Sequence, residues 1–109
     1  DDFRINLDAY DNVGLYEAQV EQALPELPSP IDTVVADPPR AGLGQAVIAH
    51  VARLAPRRLV YVSCDAATLA RDARWLRSAG FNLRGVTLFD LFPQTFHMET
   101  VSVWDLGAA

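Results

Sequence analysis

Residues 58–68 read Arg58-Leu59-Val60-Tyr61-Val62-Ser63-Cys64-Asp65-Ala66-Ala67-Thr68. The apolar run Leu59-Val60-Tyr61-Val62 fits a buried strand, and Asp65 ahead of Ala66-Ala67-Thr68 is a helix-start signal. The only cysteine of the chain stands in the turn between them. In open α/β sheets, the edge where strands give way to helices carries the chemistry. The same grammar appears upstream, where Ile31-Asp32-Thr33-Val34-Val35-Ala36 runs into Asp37-Pro38-Pro39-Arg40. Phe92-Pro93-Gln94-Thr95-Phe96-His97-Met98-Glu99 brings a further carboxylate ahead of the last apolar stretch. A thiol with carboxylates at strand ends suggests covalent catalysis.

Working outward, residues 67–78 predict a helix with Leu69, Trp75 and Leu76 inward and Gly80 as its C-cap. Residues 31–36 predict a buried strand. Residues 44–54 have helical spacing in Val47, Ile48, Val51 and Leu54, closed by Pro56. Residues 81–89 alternate loosely as a strand, and 98–106 predict the last strand, with Val101 and Val103 alternating against Thr100, Ser102 and Trp104. Nearer the start, 18–24 reads as a short helix ended by Pro25, followed by the loop Pro28-Ser29-Pro30. Residues 13–16 are a short strand candidate. Residues 1–12 open in mid-helix with no N-cap, as a piece of a longer protein would. Strands alternating with helices predict an α/β fold with a mostly parallel sheet. Two consecutive strands at the end predict a terminal antiparallel hairpin.

At 109 residues the chain allows one domain with one modest core. No apolar run approaches the roughly 20 residues of a membrane span, so no membrane role is expected. A lone cysteine forms no internal disulfide and suits a reducing cytoplasm. A single cysteine and two distant histidines make no metal site. The net charge of −5 speaks against an autonomous nucleic-acid binder. All nine basic residues are arginine. Arg71, Arg74 and Arg77 share one side of a helix, and Arg53, Arg57 and Arg58 cluster before the cysteine strand. Arginine suits phosphate by its bidentate fork. The plainer reading is a solvated helix face, paired with acids such as Asp65 and Asp72.

Four motifs occur in register: Asp37-Pro38-Pro39-Arg40-Ala41-Gly42-Leu43, Tyr61-Val62-Ser63-Cys64-Asp65, Ala67-Thr68-Leu69-Ala70-Arg71-Asp72, and the stretch from Phe92 to Glu99. Together they resemble the catalytic half of the RNA uracil-5-methyltransferase family, which makes 5-methyluridine in tRNA or rRNA with S-adenosylmethionine. The resemblance spans nearly the whole chain. It implies a truncated Rossmann-like (class I) methyltransferase fold over residues 1–109, the C-terminal part of the catalytic domain. It also implies RNA as partner and the following roles. Cys64 is the nucleophile that adds to uracil C6. Glu99 is the base that removes the C5 proton. Asp37 lies between methyl donor and uracil, serving both substrate and cofactor, and Arg40 holds the base or a neighbouring phosphate. His97 orders its loop, Met98 and Phe96 pack, and His50 is structural.

Each residue also has a plainer reading. A lone cysteine is often a small buried hydrophobe, Asp37 can cap a strand-ending turn, and Glu99 can be an exposed strand-end acid. Family members commonly carry proline where this chain has Ala66, which would fix the backbone that aims the cysteine. The glycine-rich cofactor loop, the acidic residue that holds the ribose and the RNA-binding front part are not in this sequence. By itself, then, the chain is expected to bind little cofactor and to be inactive. Its sheet is expected to have a free edge beside residues 33–36, through which it dimerises or which its first strand shifts to close. The alternatives are a non-catalytic or assembly piece of this fold, or a methyltransferase acting on another base position. Cytosine-5 enzymes typically have a cysteine directly after the proline of the aspartate motif, and amino-group enzymes an aromatic residue; here Arg40 follows Pro39.

Overall fold

The computed structural model describes residues 19–90 and 98–107. The short helix α1 (Val20–Ala23) tightens into a 3-10 turn at Leu24–Glu26, where Pro25 occupies a position that needs no N–H donor. Strand β1 (Thr33–Ala36) leads to helix α2 (Gly44–Arg53), and β2 (Arg58–Ser63) to helix α3 (Ala66–Ser78). Strands β3 (Phe81–Phe89) and β4 (Glu99–Leu106) complete a four-stranded sheet of order β1-β2-β4-β3. The β1–β2 ladder is parallel, and β4 runs antiparallel to both β2 and β3. The predicted α/β fold and its terminal hairpin are therefore present. The reversed strand β4 is inserted between β2 and β3. The helix and strand predicted over 1–12 and 13–16 lie outside the described residues.

The core joins Val47, Ile48 and Val51 of α2 and Leu76 of α3 to Leu59, Tyr61, Phe81 and Trp104 of the sheet. The alternation of β2 decides which of its residues enter: Leu59, Tyr61 and Ser63 face inward, with Arg58, Val60 and Val62 on the other side. On β4 the inward side is Ser102 and Trp104. The Trp104 indole N–H donates to Ser102 Oγ at 2.9 Å, so its polar atom is satisfied in the core.

Two expectations need correction. Residues 31–36 are not a buried strand. The ladder begins only at Thr33, since Ile31 N–H donates to the Leu54 carbonyl and Asp32 holds Arg57 at 3.0 Å. Among the described residues β1 pairs with β2 alone, leaving Val35 70% exposed on an open edge. The predicted C-cap of α3 shifts by one residue: Ala79 caps it, and Gly80 follows in the left-handed region at φ 102°.

Candidate active site

Strand direction assembles the site. β1 and β2 run parallel, so the turns after Ala36 and after Ser63 emerge at one edge of the sheet. β4 begins at that edge, because it runs the other way. The last β2–β4 pair is Ser63 with Thr100, and Thr100 Oγ1 donates to the Ser63 carbonyl at 3.3 Å. One step further, the register leads to Cys64 on one side and Glu99 on the other. Directly opposed residues in such a ladder have Cα atoms about 4.5–5.5 Å apart and side chains on one face. Cys64 is exposed, so it is not the buried hydrophobe of its plainer reading. Glu99 is half-buried and opens β4 opposite Phe89 of β3.

The turn after Cys64 is held without proline. Ser63 Oγ donates to the Asp65 carbonyl at 3.1 Å and accepts from the Asp65 N–H at 3.2 Å. Asp65 then caps α3, its carboxylate accepting from Thr68 N–H at 3.0 Å. That amide holds the Asp65 carboxyl below its ordinary range against the opposing effect of desolvation. The Ala67 N–H, the Arg40 guanidinium and the Thr68 hydroxyl act in the same direction. Asp65 has an extended backbone (φ −138°, ψ 114°), which suits a following proline. Ala66 is the first helical residue, whose N–H has no intrahelical acceptor. Ala66→Pro is expected to stabilise the protein by about 0.4–1 kcal/mol, read as a higher thermal midpoint with the α3 cap intact.

The β1 loop is moored from α3. Asp72 is fully buried (0% exposed) and accepts from Leu43 N–H at 2.7 Å and Gly44 N–H at 3.2 Å. It also accepts from the Tyr61 hydroxyl at 2.5 Å and Arg71 Nη2 at 3.0 Å. The same Nη2 donates to the Ala41 carbonyl at 2.6 Å. Asp72 therefore caps the N-terminus of α2 from another helix, where Leu43 offers no side-chain cap and negative charge is favourable. Burial first, then the bond to Asp72 and its charge, push the Tyr61 phenol far above its ordinary range. This corrects the reading of Asp72 as part of a solvated face. Arg74 and Arg77 are exposed as that reading expects, whereas Arg71 is tied down. Gly42 completes the mooring at φ 80°, donating to the Pro39 carbonyl at 2.8 Å. A Cβ there would lie 2.5 Å from Asp72 Oδ2 and 2.9 Å from Arg71 Nη2. Gly42→Ala is expected to destabilise by about 2–4 kcal/mol, combining left-handed strain with overpacking. A lowered denaturant midpoint at unchanged slope checks it.

Asp37 follows β1 directly, is exposed, and lines a groove of about 450 Å³ with Pro38, Pro39, Leu43, Val35 and Leu24. The lining is apolar except for Asp37 and Glu21. It offers a carboxylate beside a strand end, which fits a sulfonium or ammonium group. Among the described residues it offers no polar side chain for a ribose beyond these acids. The arginines before β2 lie at the far end of the sheet. Arg57 bonds Asp32, Arg58 sits 3.7 Å from Asp105, and Arg53 donates to the Leu24 carbonyl at 2.8 Å. Met98, expected to pack, is 40% exposed because it precedes the first ladder pair. His97 and Phe96 lie outside the described residues. Among the described residues no three His, Cys, Asp or Glu side chains form a metal-binding group, and no helix is long and apolar enough to cross a membrane.

An α/β sheet with a thiol, a carboxylate and an Asp-Pro-Pro turn at one edge has the makings of a methyltransferase of the Rossmann-like, class I type. Residues 27–105 match the tRNA (uracil-5-)-methyltransferase family, and the chain belongs to that family. It is 41% identical over 109 residues to an uncharacterized RNA methyltransferase of Streptomyces coelicolor, covering 99% of this chain and 24% of the relative. It is 41% identical over 101 residues to the 23S rRNA (uracil(1939)-C(5))-methyltransferase RlmD of an Enterobacter species, covering 90% of this chain and 23% of the relative. Among solved structures it resembles the Pyrococcus abyssi tRNA (uracil-54, C5)-methyltransferase in complex with S-adenosyl-L-homocysteine. That likeness has a TM-score of 0.72 at 32% identity and covers 94% of this chain and 24% of that one. The chain thus spans about a quarter of the length of the relatives it matches.

Proposed function

We propose that the chain forms the C-terminal part of the catalytic domain of a cytoplasmic RNA methyltransferase that methylates C5 of uridine in tRNA or rRNA. S-adenosylmethionine supplies the methyl group, carried on a positively charged sulfonium. The observation that carries this reading is the β2–β4 register, which ends at the Ser63–Thr100 pair and, continued by one step, would oppose Cys64 and Glu99 at the edge where the loop of Asp37 and Arg40 begins. The family match and the RNA methyltransferase relatives support the substrate class.

The chemistry follows from uracil itself. C5 is a poor nucleophile. Addition of the Cys64 thiolate to C6 would form an S–C bond and move the ring electrons onto C5 and O4, so that C5 could take the methyl group while the donor's S–CH3 bond breaks and its sulfur keeps that pair as a neutral thioether. Glu99 then removes the C5 proton. The C–H electron pair re-forms the C5–C6 double bond, and the thiolate leaves with its own pair. Covalent catalysis thereby replaces one hard step with two easier ones. Asp37 would face the sulfonium end of the donor and the base edge. Arg40 would engage the base or a phosphate through its fork. A uridine within a stack would first have to be extruded to reach the exposed thiol. Among the described residues β1 has a partner strand on one side only, which supports pairing of its other edge with a further strand, from elsewhere in the full-length protein or from a second copy.

The test is tritium release from RNA carrying [5-³H]uridine, using the full-length protein and S-adenosylmethionine. The proposal expects release matched by 5-methyluridine formation. RNA methylated on another atom, with tritium retained, would contradict it.

A further inference from the structure

We infer that Asp72 is a positioning residue that sets the Asp37–Arg40 turn against Cys64; this rests on the proposed function. Asp72 and Cys64 are linked through α3, whose cap Asp65 follows the thiol directly. Asp72 is linked to the turn through Leu43, Gly44 and Arg71, the last of which holds the Ala41 carbonyl. Tyr61 fixes the same carboxylate from β2, the strand that ends at the thiol. One buried carboxylate therefore gathers the loop after β1, the strand before Cys64 and the helix after it. Its oxygens are fully committed: Oδ2 accepts from Leu43 and Tyr61, and Oδ1 from Gly44 and Arg71. All four partners donate, so the site suits an acceptor-only group. The absence of a side chain at Gly42 is what lets the loop approach this closely. Asp72 touches no reacting atom; it acts through the two segments it joins.

Asp72→Asn tests this in the full-length protein. Asparagine keeps the volume but has one accepting oxygen, and its NH₂ group would meet either the Leu43 and Tyr61 donors or the Gly44 and Arg71 donors. The expected result is a fall in kcat of about 10- to 100-fold with KM for RNA essentially unchanged, the signature of displaced reacting groups. Phe81→Leu, a core truncation at the start of β3 and far from Cys64, serves as the control for stability. Assayed well below its melting temperature, it should keep the wild-type kcat. Hydrogen exchange provides a second readout: Asp72→Asn should lose protection at the Leu43 and Gly44 amides while the β2 amides stay protected. A normal kcat in Asp72→Asn, or unchanged protection at those two amides, overturns the inference. A kcat loss in Phe81→Leu equal to that in Asp72→Asn would also overturn it. A wild-type protein that methylates no RNA uridine sinks the functional reading instead, and the exchange experiment then decides the mooring alone.

Discussion

Cys64→Ala is expected to abolish methylation, with a rate loss on the scale of about 10⁶-fold seen when a covalent nucleophile is removed. Stability should stay within about 0.5 kcal/mol of wild type, because the exposed thiol leaves no cavity behind. Single-turnover methylation and a thermal melt check the two halves together. The separation matters because Cys64 is flanked by residues that do hold the fold. Ser63 and Asp65 share reciprocal bonds across it, and Asp65 caps α3. A variant at either neighbour would mix misfolding with lost chemistry. At Cys64 the chemistry alone should go. Methylation that survives the substitution would return the thiol to a bystander's role.

Glu99→Gln is expected to slow turnover by about 10²- to 10⁴-fold, the usual contribution of a positioned general base. Its particular sign is where the reaction stops. Addition of the thiolate and methylation of C5 need no base at Glu99, whereas elimination does. The variant should therefore accumulate a protein–RNA adduct that already carries the methyl group, and the wild type should not. Denaturing electrophoresis with labelled RNA, and intact mass for the added methyl, read this directly. Slow turnover without an adduct would place the role of Glu99 before covalent bond formation.

The sequence made some of this legible and hid the rest for identifiable reasons. Strand β3 has the predicted bounds, because it starts directly after the glycine that follows α3, and the apolar run Leu59–Val62 lies inside β2, which stops at the residue before Cys64. The cap of α3 was legible too, since Asp65 ahead of an alanine pair is a local signal. Strand order was not. The insertion of β4 between β2 and β3, which brings the start of β4 to the end of β2 at the Ser63–Thr100 pair, depends on a ladder between segments distant in sequence. Asp72 was misread because it sits among arginines, and charge runs normally mark a solvated face. A signal was nevertheless present: Asp72 shares the helical stripe of Leu69, Ala73 and Leu76, which packs into the core. An acid on an apolar stripe must find donors, and here it finds four. Strand β1 was read as buried from its apolar run, but burial requires neighbours on both sides, and among the described residues it has one.

The most direct test of the central claim uses the full-length protein with S-adenosylmethionine and RNA in which uridine is replaced by 5-fluorouridine. Fluorine at C5 cannot be removed as a proton, so an enzyme acting through C6 becomes trapped on its substrate. Intact mass spectrometry should find a covalent complex of protein, RNA and one methyl group, and Cys64→Ser should find none. With donor binding demonstrated separately, the absence of an adduct on RNA that the enzyme methylates, or an adduct that persists in Cys64→Ser, would contradict the assignment of Cys64 as the nucleophile.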